Sequence, residues 1–321
     1  MMDLFLHRVC VRLACEAQVV QRYWQQLFAD WQGDGVLGVM AQLELELVEE
    51  LPVLPEVAPF FVDQGSLPDD VGLLSVYGLE GGAVLLHYWE GALVRLPLAA
   101  ERPFLTGHVL TKAMGYGRLE DITFTSLAPF LRRQGYFLLH AFGVHKDGRC
   151  LLFVGASGSG KTTTGLSLLL AGWELLANDI LLLERREDGV YALPTPGGLS
   201  IREGTLALLP DCGPLVAHTP CVQGKYSLTN QWFWRGHVPE AAKVTAVYFC
   251  QVEERVASAE RPLSRAIAFA QLMEQSIDRW DENMLVEHIT VLQHLSQQAE
   301  CFTLHLGRDV PQIPALLTNK P

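Results

Sequence analysis

The apolar and polar positions of the first 130 residues follow mainly the two-residue period of β-strands. Leu43–Leu47 alternates leucine with glutamate, which predicts a half-buried strand. Apolar residues recur every three to four positions over Gln18–Gln32, which predicts a helix. The predicted buried face of this helix is Val19, Tyr23, Leu27 and Trp31. Further strands are predicted at Leu4–Leu13, Val71–Leu79, Ala83–Trp89 and Leu93–Leu96, with turns at Glu80–Gly82 and Glu90–Gly91 and a proline-rich loop at Leu51–Pro68.

A short polar turn between two apolar segments opens the second half of the chain. Tyr136–His145 and Cys150–Val154 are strand-like and flank an Asp-Gly pair, the strongest signal for a two-residue hairpin turn. Such a turn pairs Lys146 with Arg149 and, counting back along the strands, sets His140 opposite Gly155. A longer turn would shift the register and move His140 away, and a buried structural histidine is the alternative.

The next two segments have nearly equal predicted lengths. A helix over Lys161–Gly172 would be about 18 Å long at 1.5 Å per residue. A strand over Trp173–Ala177 would return about 16 Å at 3.3 Å per residue. The pair Asn178-Asp179 is therefore expected at the level of the residues that precede the helix, with a surface turn as the alternative for Asp179.

The rest of the chain alternates between strands, loops and helix. The chain is predicted to divide into an N-terminal α+β region, residues 1–130, and a second domain, residues 131–321. The remaining predicted elements are a hairpin at Ile180–Leu193, loops at Pro194–Glu203 and Gln223–Tyr226, a buried strand at Lys243–Val252, a helix at Leu263–Gln298 broken around residues 278–282, a strand at Cys301–Leu306 and a short helix after Pro311.

Composition and charge narrow the functional classes. The 321 residues carry a net charge of −12, which disfavours sequence-independent binding to nucleic acid. Seven scattered cysteines without a Cys-x-x-Cys pair indicate free thiols in a reducing compartment. Charged residues interrupt the apolar N-terminus, and no uncharged segment approaches the roughly 20 residues of a membrane span. We therefore expect a cytoplasmic protein that binds neither nucleic acid nor membrane.

The sequence from Gly155 to Thr162 fits G-x-x-x-x-G-K-[ST], the Walker A pattern of a phosphate-binding loop. An apolar strand before it and a helix after it supply the context that this loop requires. Backbone N–H groups and the helix N-terminus would face phosphate oxygens, while Lys161 would reach the terminal phosphates. The predicted nucleotide-binding residues are Gly155, Ala156, Ser157, Gly158, Ser159, Gly160, Lys161, Thr162 and Thr163.

A metal ion and a second cation complete the predicted chemistry. The Thr162 hydroxyl and the Asp179 carboxylate are the expected Mg²⁺ ligands beside the phosphates of ATP. Arg202 and Lys225 lie in the predicted loops of the second domain, and either could offset charge on a transferring phosphoryl group. A surface cation without a role is the alternative for both.

Taken together, these residues resemble the HPr kinase/phosphorylase family and the looser HPr-kinase-like serine kinases. His140 lies fifteen residues before Gly155, as in the family, and Asn178-Asp179 stands where the family has an acidic pair. Ile201-Arg202 partly matches a downstream Ile-Arg-Gly signature. The resemblance covers residues 135–255 and implies an α/β fold with a P-loop kinase core of the HPr kinase and phosphoenolpyruvate carboxykinase type. That core is a mixed sheet with flanking helices, here preceded by the N-terminal α+β region.

The chain departs from the family pattern at several positions. Thr163 stands where the kinase/phosphorylase has glutamate, and Asn178 replaces the first acid of the pair. Ser200 and Glu203 replace the Glu and Gly that flank the Ile-Arg signature. These differences favour a divergent relative with an acceptor other than HPr and without the reverse phosphorylase reaction.

The resemblance implies a mechanism and partners. It implies ATP- and magnesium-dependent transfer of the γ-phosphoryl group to a serine hydroxyl of a protein or peptide, with a homo-oligomer possible by analogy. The implied base is Asp179 or Glu203, and His140 would orient that carboxylate. The predicted catalytic residues are His140, Asp179, Lys161, Glu203 and Lys225. Residues 1–130 carry no catalytic motif and are expected to bind the substrate or a partner.

Three other functions are compatible with the sequence. A P-loop ATPase would carry an acid after a long apolar strand, as Glu253-Glu254 does after Val244–Val252. A non-catalytic nucleotide-binding regulatory module would fit the loss of an acid at Asn178. A carboxykinase-type reaction on a small acid is the third, although the further metal ligands of those enzymes are not found in the sequence.

Overall fold

A computed structural model describes residues 1–32, 38–63, 74–89, 91–114, 117–234, 237–276 and 279–318. The chain forms two compact units. The first consists of Met1–Gln134 together with Asp278–Met284, and the second of Gly135–Ile277 and Leu285–Pro321. The first unit therefore contains a short segment from late in the sequence, which the sequence patterns do not predict.

The first unit is built on a mixed sheet with two helices. Among its described residues the strand order is β1-β2-β3-β8-β7-β6-β5-β4, in which β3 runs parallel to β2 and β8 and the other pairs are antiparallel. The strands are β1 Met2–Leu6, β2 Val9–Ala14, β3 Ala41–Val48, β4 Phe61–Asp63, β5 Leu74–Gly78, β6 Ala83–Tyr88, β7 Ala92–Pro97 and β8 Phe104–Leu110, and the helices are α1 Gln18–Leu27 and α2 Arg118–Arg133.

Some predictions for this unit are confirmed and others are wrong. Strand β3 buries Leu43 and Leu45 and exposes the glutamates between them, as the alternation predicts. The predicted single strand Leu4–Leu13 is a hairpin, because His7 adopts a positive φ of 56° and reverses the chain without a glycine.

The predicted buried face of helix α1 is correct at Leu27 and at Trp31 beyond the helix end, and wrong at its start. Val20, Trp24 and Leu27 are buried, whereas Val19 is 51% exposed. The helix ends at Leu27 and a 3-10 turn follows at Ala29–Trp31, so the predicted end at Gln32 is wrong. The predicted loop contains the short strand β4, and the predictions for residues 64–68, 71–73 and Glu90 lie outside the described residues.

The second unit is built on a larger mixed sheet. Within the described part of this unit the order is β17-β13-β12-β9-β10-β18-β20-β19, with β11 pairing beside β9. Strands β10, β18 and β20 are parallel. The strands are β9 Tyr136–Lys146, β10 Arg149–Val154, β11 Glu174–Ala177, β12 Ile180–Arg186, β13 Gly189–Leu193, β14 Gly198–Arg202, β15 Cys221–Val222, β16 Lys225–Thr229, β17 Ala242–Lys243, β18 Ala246–Val252, β19 Ala259–Pro262 and β20 Glu300–Leu306.

Helices cover both faces of this sheet. Leu272 of α7 and Leu292 of α8 pack into one core cluster with Leu152 of β10. On the opposite face, Gly165 of α3 packs against the ring of Phe142 on β9. A strand covered on both faces has apolar residues throughout, as β10 does. The helices are α3 Lys161–Leu170, α4 Glu203–Leu208, α5 Gly213–Val216, α6 Asn230–Trp234, α7 Arg265–Glu274, α8 Leu285–Gln298 and α9 Ile313–Thr318.

The predicted loops of the second unit are partly correct: residues 194–197 are irregular and Gln223-Gly224 is a turn, but the residues that follow each of these segments form strands. Strands β14, β16 and β15 form a small separate sheet. Leu199 and Ile201 of β14 alternate inward and are fully buried, a strand signal that the neighbouring Pro-Gly-Gly obscures. The predicted strand Lys243–Val252 is divided between β17 and β18. The predicted break in the helix Leu263–Gln298 is present between α7 and α8, although residues 277 and 278 lie outside the described residues.

Candidate functional site

A glycine-containing loop connects strand β10 to helix α3. The strand ends at Val154 and the helix begins at Lys161, as the sequence predicts. Gly158 and Gly160 have positive φ values of 80° and 95°, a conformation that other residues rarely adopt. A Cβ on Gly160 would lie 2.5 Å from Cδ1 of Leu306, so a side chain at this position would also require the Leu306 side chain to move.

The Lys161 side chain is folded into this loop. It is buried, and its Nζ donates hydrogen bonds to the carbonyl oxygens of Gly155 at 2.7 Å and Ala156 at 3.2 Å. The N-cap residue of α3 is Gly160, which has no side chain to cap the first turn. An uncapped helix N-terminus beside a buried ammonium group is a suitable environment for an anion such as phosphate.

The hairpin that leads into the loop has the predicted register. Arg149 pairs with Lys146 and Val154 with Ala141, so the next position along each strand places Gly155 against His140. His140 also pairs with Ile180 of strand β12. Strand β9 thus sets this histidine between the loop and the residue that follows Asp179.

Asn178 and Asp179 occupy the connection between β11 and β12, next to the start of α3. The Thr162 hydroxyl donates to Oδ1 of Asn178 at 3.2 Å, and Nδ2 of Asn178 donates to Oδ2 of Asp179 at 3.0 Å. The other Asp179 oxygen, Oδ1, lies 3.5 Å from Nε2 of His140. The return of this pair to the level of the loop is therefore confirmed, and it brings Thr162, Asp179 and His140 together.

The electrostatic surroundings keep the Asp179 carboxylate ionised. Burial by nearby protein atoms raises its pKa, even though the side chain itself is 52% exposed. The hydrogen bond and charge of His140, the charge of Lys161 and the hydrogen bond from Asn178 outweigh this effect and hold the pKa of Asp179 below its usual value. Asp179 also has a positive φ of 64°, a conformation that aspartate tolerates better than most residues.

The side chains at this site fit a hard divalent cation beside a polyphosphate. One carboxylate and one hydroxyl are oxygen donors of the kind Mg²⁺ takes from proteins when phosphate oxygens and water supply the rest. Within the described residues, no group of three or more His, Cys, Asp or Glu side chains could hold a metal alone. The Ser159 hydroxyl is buried in the loop and has no partner in the described part of the chain.

Lys225 lies in the small sheet and Glu203 directly follows it, and neither takes part in the contacts that join Thr162 to Asn178, Asp179 and His140. Glu203 begins helix α4, its backbone N–H donates to the Gly224 carbonyl, and its carboxylate accepts from the Cys221 thiol at 3.8 Å. Lys225 pairs with Arg202 across β14 and β16. The hydroxyls of Thr163 and Thr205 lie 2.9 Å apart, which links α3 directly to α4.

Glu253, the acid of the alternative ATPase hypothesis, is engaged elsewhere. It follows β18, which is parallel to β10, as that hypothesis requires. Its carboxylate bonds the His305 ring, which holds the pKa of Glu253 below its usual value, and Arg255 lies 3.4 Å away. The ion pairs of Glu253 therefore face strand β20 and its own turn.

Two contributors to the site are not predicted from the sequence. Asn178 enters the sequence argument only as a missing acid, yet its buried amide joins Thr162 to Asp179. Thr205, which links α4 to Thr163, lies in an apolar segment without a motif. The only sequence signal for either residue is a polar side chain within an apolar neighbourhood.

Comparisons with solved structures show a distant structural likeness. No protein-family model and no curated protein matches the chain. Among solved structures the chain is similar to an HPr(Ser) kinase/phosphatase from Coxiella burnetii, at 11% identity and a TM-score of 0.29, over 57% of this chain and 94% of that chain. No helix among the described residues is both long enough and apolar enough to cross a membrane.

Proposed function

We propose that this protein is an ATP-dependent phosphotransferase that transfers the γ-phosphoryl group to a serine hydroxyl of a protein or peptide. The observation that carries the proposal is the continuous set of contacts from Thr162 through Asn178 to Asp179 and His140, directly beside the Lys161 loop. A phosphate grip alone would serve any nucleotide-binding protein. A carboxylate and an imidazole at its edge are the groups that an acceptor hydroxyl needs.

In the proposed reaction the loop amides and Lys161 bind the phosphates of ATP. Mg²⁺, held by Thr162 and Asp179, would supply charge neutralisation on the transferring group. The serine oxygen forms the new bond to γ-phosphorus as the bond to the β,γ-bridging oxygen breaks, and the electron pair of that bond leaves with ADP. Asp179 takes the serine proton. His140 orients the Asp179 carboxylate through its Nε2 hydrogen bond.

The low pKa of Asp179 is compatible with this role. An ionised carboxylate is available as a proton acceptor throughout the neutral range. It is a weak base, but phosphoryl transfer proceeds largely by positioning and charge stabilisation, so a strong base is not required. Glu203, at the start of α4, is the second candidate for the base, and Lys225 the candidate cation for the transferring group.

The test is transfer of label from γ-labelled ATP to proteins of a lysate from the same cell, followed by phosphoamino-acid analysis. We expect phosphoserine on one or a few acceptors. Lys161→Ala should abolish nucleotide binding, Asp179→Ala should retain binding and lose transfer, and His140→Ala should only reduce transfer. Asp188→Ala is the matched control, because this exposed carboxylate of the same unit pairs with Lys243.

Each competing function gives a different outcome. Full transfer by the Asp179 variant would contradict the assignment of the base. ATP hydrolysis without any labelled acceptor would favour a P-loop ATPase, and tight binding without turnover a regulatory module. Residues 1–130 are proposed to recognise the acceptor, so acceptor labelling, and not ATP binding, should be sensitive to changes on that region.

A further inference from the structure

The Asn178 amide is fully committed within the candidate site. It is 1% exposed, and its Nδ2 donates both of its hydrogens, to Oδ2 of Asp179 at 3.0 Å and to the Gly198 carbonyl at 2.9 Å. Its Oδ1 accepts from the Thr162 hydroxyl at 3.2 Å. All three contacts of this one side chain are satisfied in a single orientation.

The reverse orientation of the amide is excluded by its partners. A flipped side chain would point its oxygen at the Asp179 carboxylate and the Gly198 carbonyl, and both of these groups can only accept hydrogen bonds. A carboxylate at position 178 would meet the same two acceptors and has no hydrogen to give when ionised. The contacts thus select a group that both donates and accepts.

The same geometry determines how Thr162 is presented. A hydroxyl that gives its hydrogen to Asn178 keeps its lone pairs free for another partner. Asp179 is fixed at one oxygen by Asn178, while the other faces His140. One amide therefore orients both of the oxygen donors assigned to the cation.

We propose that Asn178 is a positioning residue that orients the Thr162 hydroxyl and the Asp179 carboxylate, and that the site requires an amide here and not an acid. This inference rests on the proposed phosphoryl transfer for its catalytic part. It predicts that restoring an acid at this position impairs the site. If Asn178 were merely a lost catalytic acid, Asn178→Asp would improve it.

The first arm of the experiment measures stability and needs no nucleotide. Asn178→Asp should lower Tm by about 3 °C or more, since two buried hydrogen bonds become acceptor–acceptor contacts. In an Asp179→Asn background the loss should be smaller, because residue 179 can then donate to the new carboxylate. Asn230→Asp is the matched control: Asn230 is a buried amide that donates to the Thr195 carbonyl, and its effect should be equal in both backgrounds.

The second arm measures transfer and nucleotide binding. Asn178→Ala and Asn178→Asp should each lower kcat about tenfold or more, the cost of one lost hydrogen bond to a charged group. Nucleotide affinity should be measured for Asn178→Ala with and without Mg²⁺. The substitution should weaken the affinity measured without Mg²⁺ only slightly, because the loop amides and Lys161 are untouched. It should reduce more strongly the gain in affinity that Mg²⁺ produces. A general loss of structure would instead reduce the affinity without Mg²⁺ and the gain from Mg²⁺ to the same extent.

The two arms separate the inference from the proposed function. If the wild-type protein transfers no phosphate to any acceptor, the kinase proposal fails and the stability arm still decides whether an amide is required. Equal Tm losses for Asn178→Asp in the two backgrounds, or transfer by that variant at or above the wild-type level, would overturn the inference.

Discussion

A single glycine allows helix α3 to approach the central sheet closely. A Cβ on Gly165 would lie 2.1 Å from the ring of Phe142, which is itself fully buried. Gly165→Ala must therefore displace either the ring or the helix that follows the phosphate loop, and overpacking of this kind costs about 1–3 kcal/mol. We expect a lower free energy of unfolding in denaturant titrations.

Gly213 provides the control for this substitution. It begins helix α5 with helical backbone angles, and a Cβ at this position would meet no atom within 4 Å. Gly213→Ala should leave the stability unchanged or raise it by about 0.4–1 kcal/mol, since only the unfolded chain loses freedom. Equal losses for the two variants would show that helix α3 is not closely packed on Phe142.

Asp3 and Arg12 form a two-pronged ion pair across the first hairpin. Their hydrogen bonds are 2.7 and 2.8 Å long, and they hold the pKa of Asp3 below its ordinary value of 3.8. A depressed pKa contributes stability above about pH 4 that is lost as the pH falls through the folded-state pKa. Both side chains are partly exposed, so Asp3→Asn should cost no more than about 1 kcal/mol at pH 7.

The pH dependence is the diagnostic part of this prediction. The free energies of unfolding of the wild type and of Asp3→Asn, measured by denaturant titration, should differ at pH 7. They should converge in acid, below the folded-state pKa of Asp3, where the carboxyl group is protonated in both the folded and the unfolded state. A difference that persists unchanged in acid would mean that the variant acts through packing and not through the charge of Asp3.

At single positions the sequence predicts which side chains come together better than it predicts their hydrogen-bond partners. Lys161, Thr162, Asp179 and His140 are found from local patterns and from counting along strands. The Asn178 contacts depend on the Gly198 carbonyl, twenty residues away on another sheet. Such a partner is set by three-dimensional packing, so the amide at position 178 cannot be distinguished from a lost acid in the sequence alone.

For helices and strands, the accuracy of a prediction depends on whether the sequence of each turn contains residues typical of turns, such as glycine, proline or Asp-Gly. The Asp147-Gly148 turn fixes the β9–β10 register, and the structure has that register. His7 turns the first hairpin without glycine or proline nearby, so two strands look like one. The Pro-Gly-Gly before β14 has the opposite effect, because a strong turn signal hides the strand that follows it.

The end of helix α2 depends on a carboxylate from far along the chain. Asp281 lies 3.4 Å from Arg132, and both side chains are almost completely buried. The Arg133 guanidinium also donates to Asp281. Asp281→Asn removes the carboxylate from this buried ion pair, and removing one partner of a buried pair costs about 3–5 kcal/mol. Thermal unfolding should detect this as a large loss of Tm.

An exposed ion pair in the same unit provides the control for the stability loss expected of Asp281→Asn. Asp63 and Arg279 are 3.8 Å apart and each side chain is 39% exposed. Asp63→Asn should cost less than about 1 kcal/mol, as surface pairs usually do. If the Asp281 variant were no less stable than the Asp63 variant, the Asp281 carboxylate would not be needed to stabilise the buried Arg132.

Considered as a whole, the chain divides differently from what its sequence patterns suggest. The patterns predict two consecutive regions with a boundary near residue 130. The structure adds Asp278–Met284 to the first unit, although this segment follows most of the second unit in the sequence. Seven residues without a periodic pattern carry no signal of where they pack, since their partners on α2 are about 150 positions away.

This arrangement has a consequence for dividing the protein into two pieces. Cutting between Gln134 and Gly135 leaves Trp280 and Asp281 on the second fragment, yet both are buried within the first unit. Fragments 1–134 and 135–321, expressed together, should therefore co-purify, because the first can complete its core only with that segment. Trp280→Ala should weaken the association, since truncating a buried tryptophan typically costs about 3–5 kcal/mol. Trp232→Ala, at a tryptophan that is 54% exposed on helix α6, should leave the association of the fragments intact.

Fragment 1–134 purified alone should unfold without a cooperative transition. A stable, cooperatively unfolding fragment 1–134 that ignores its counterpart would show that the late segment is dispensable for the first unit.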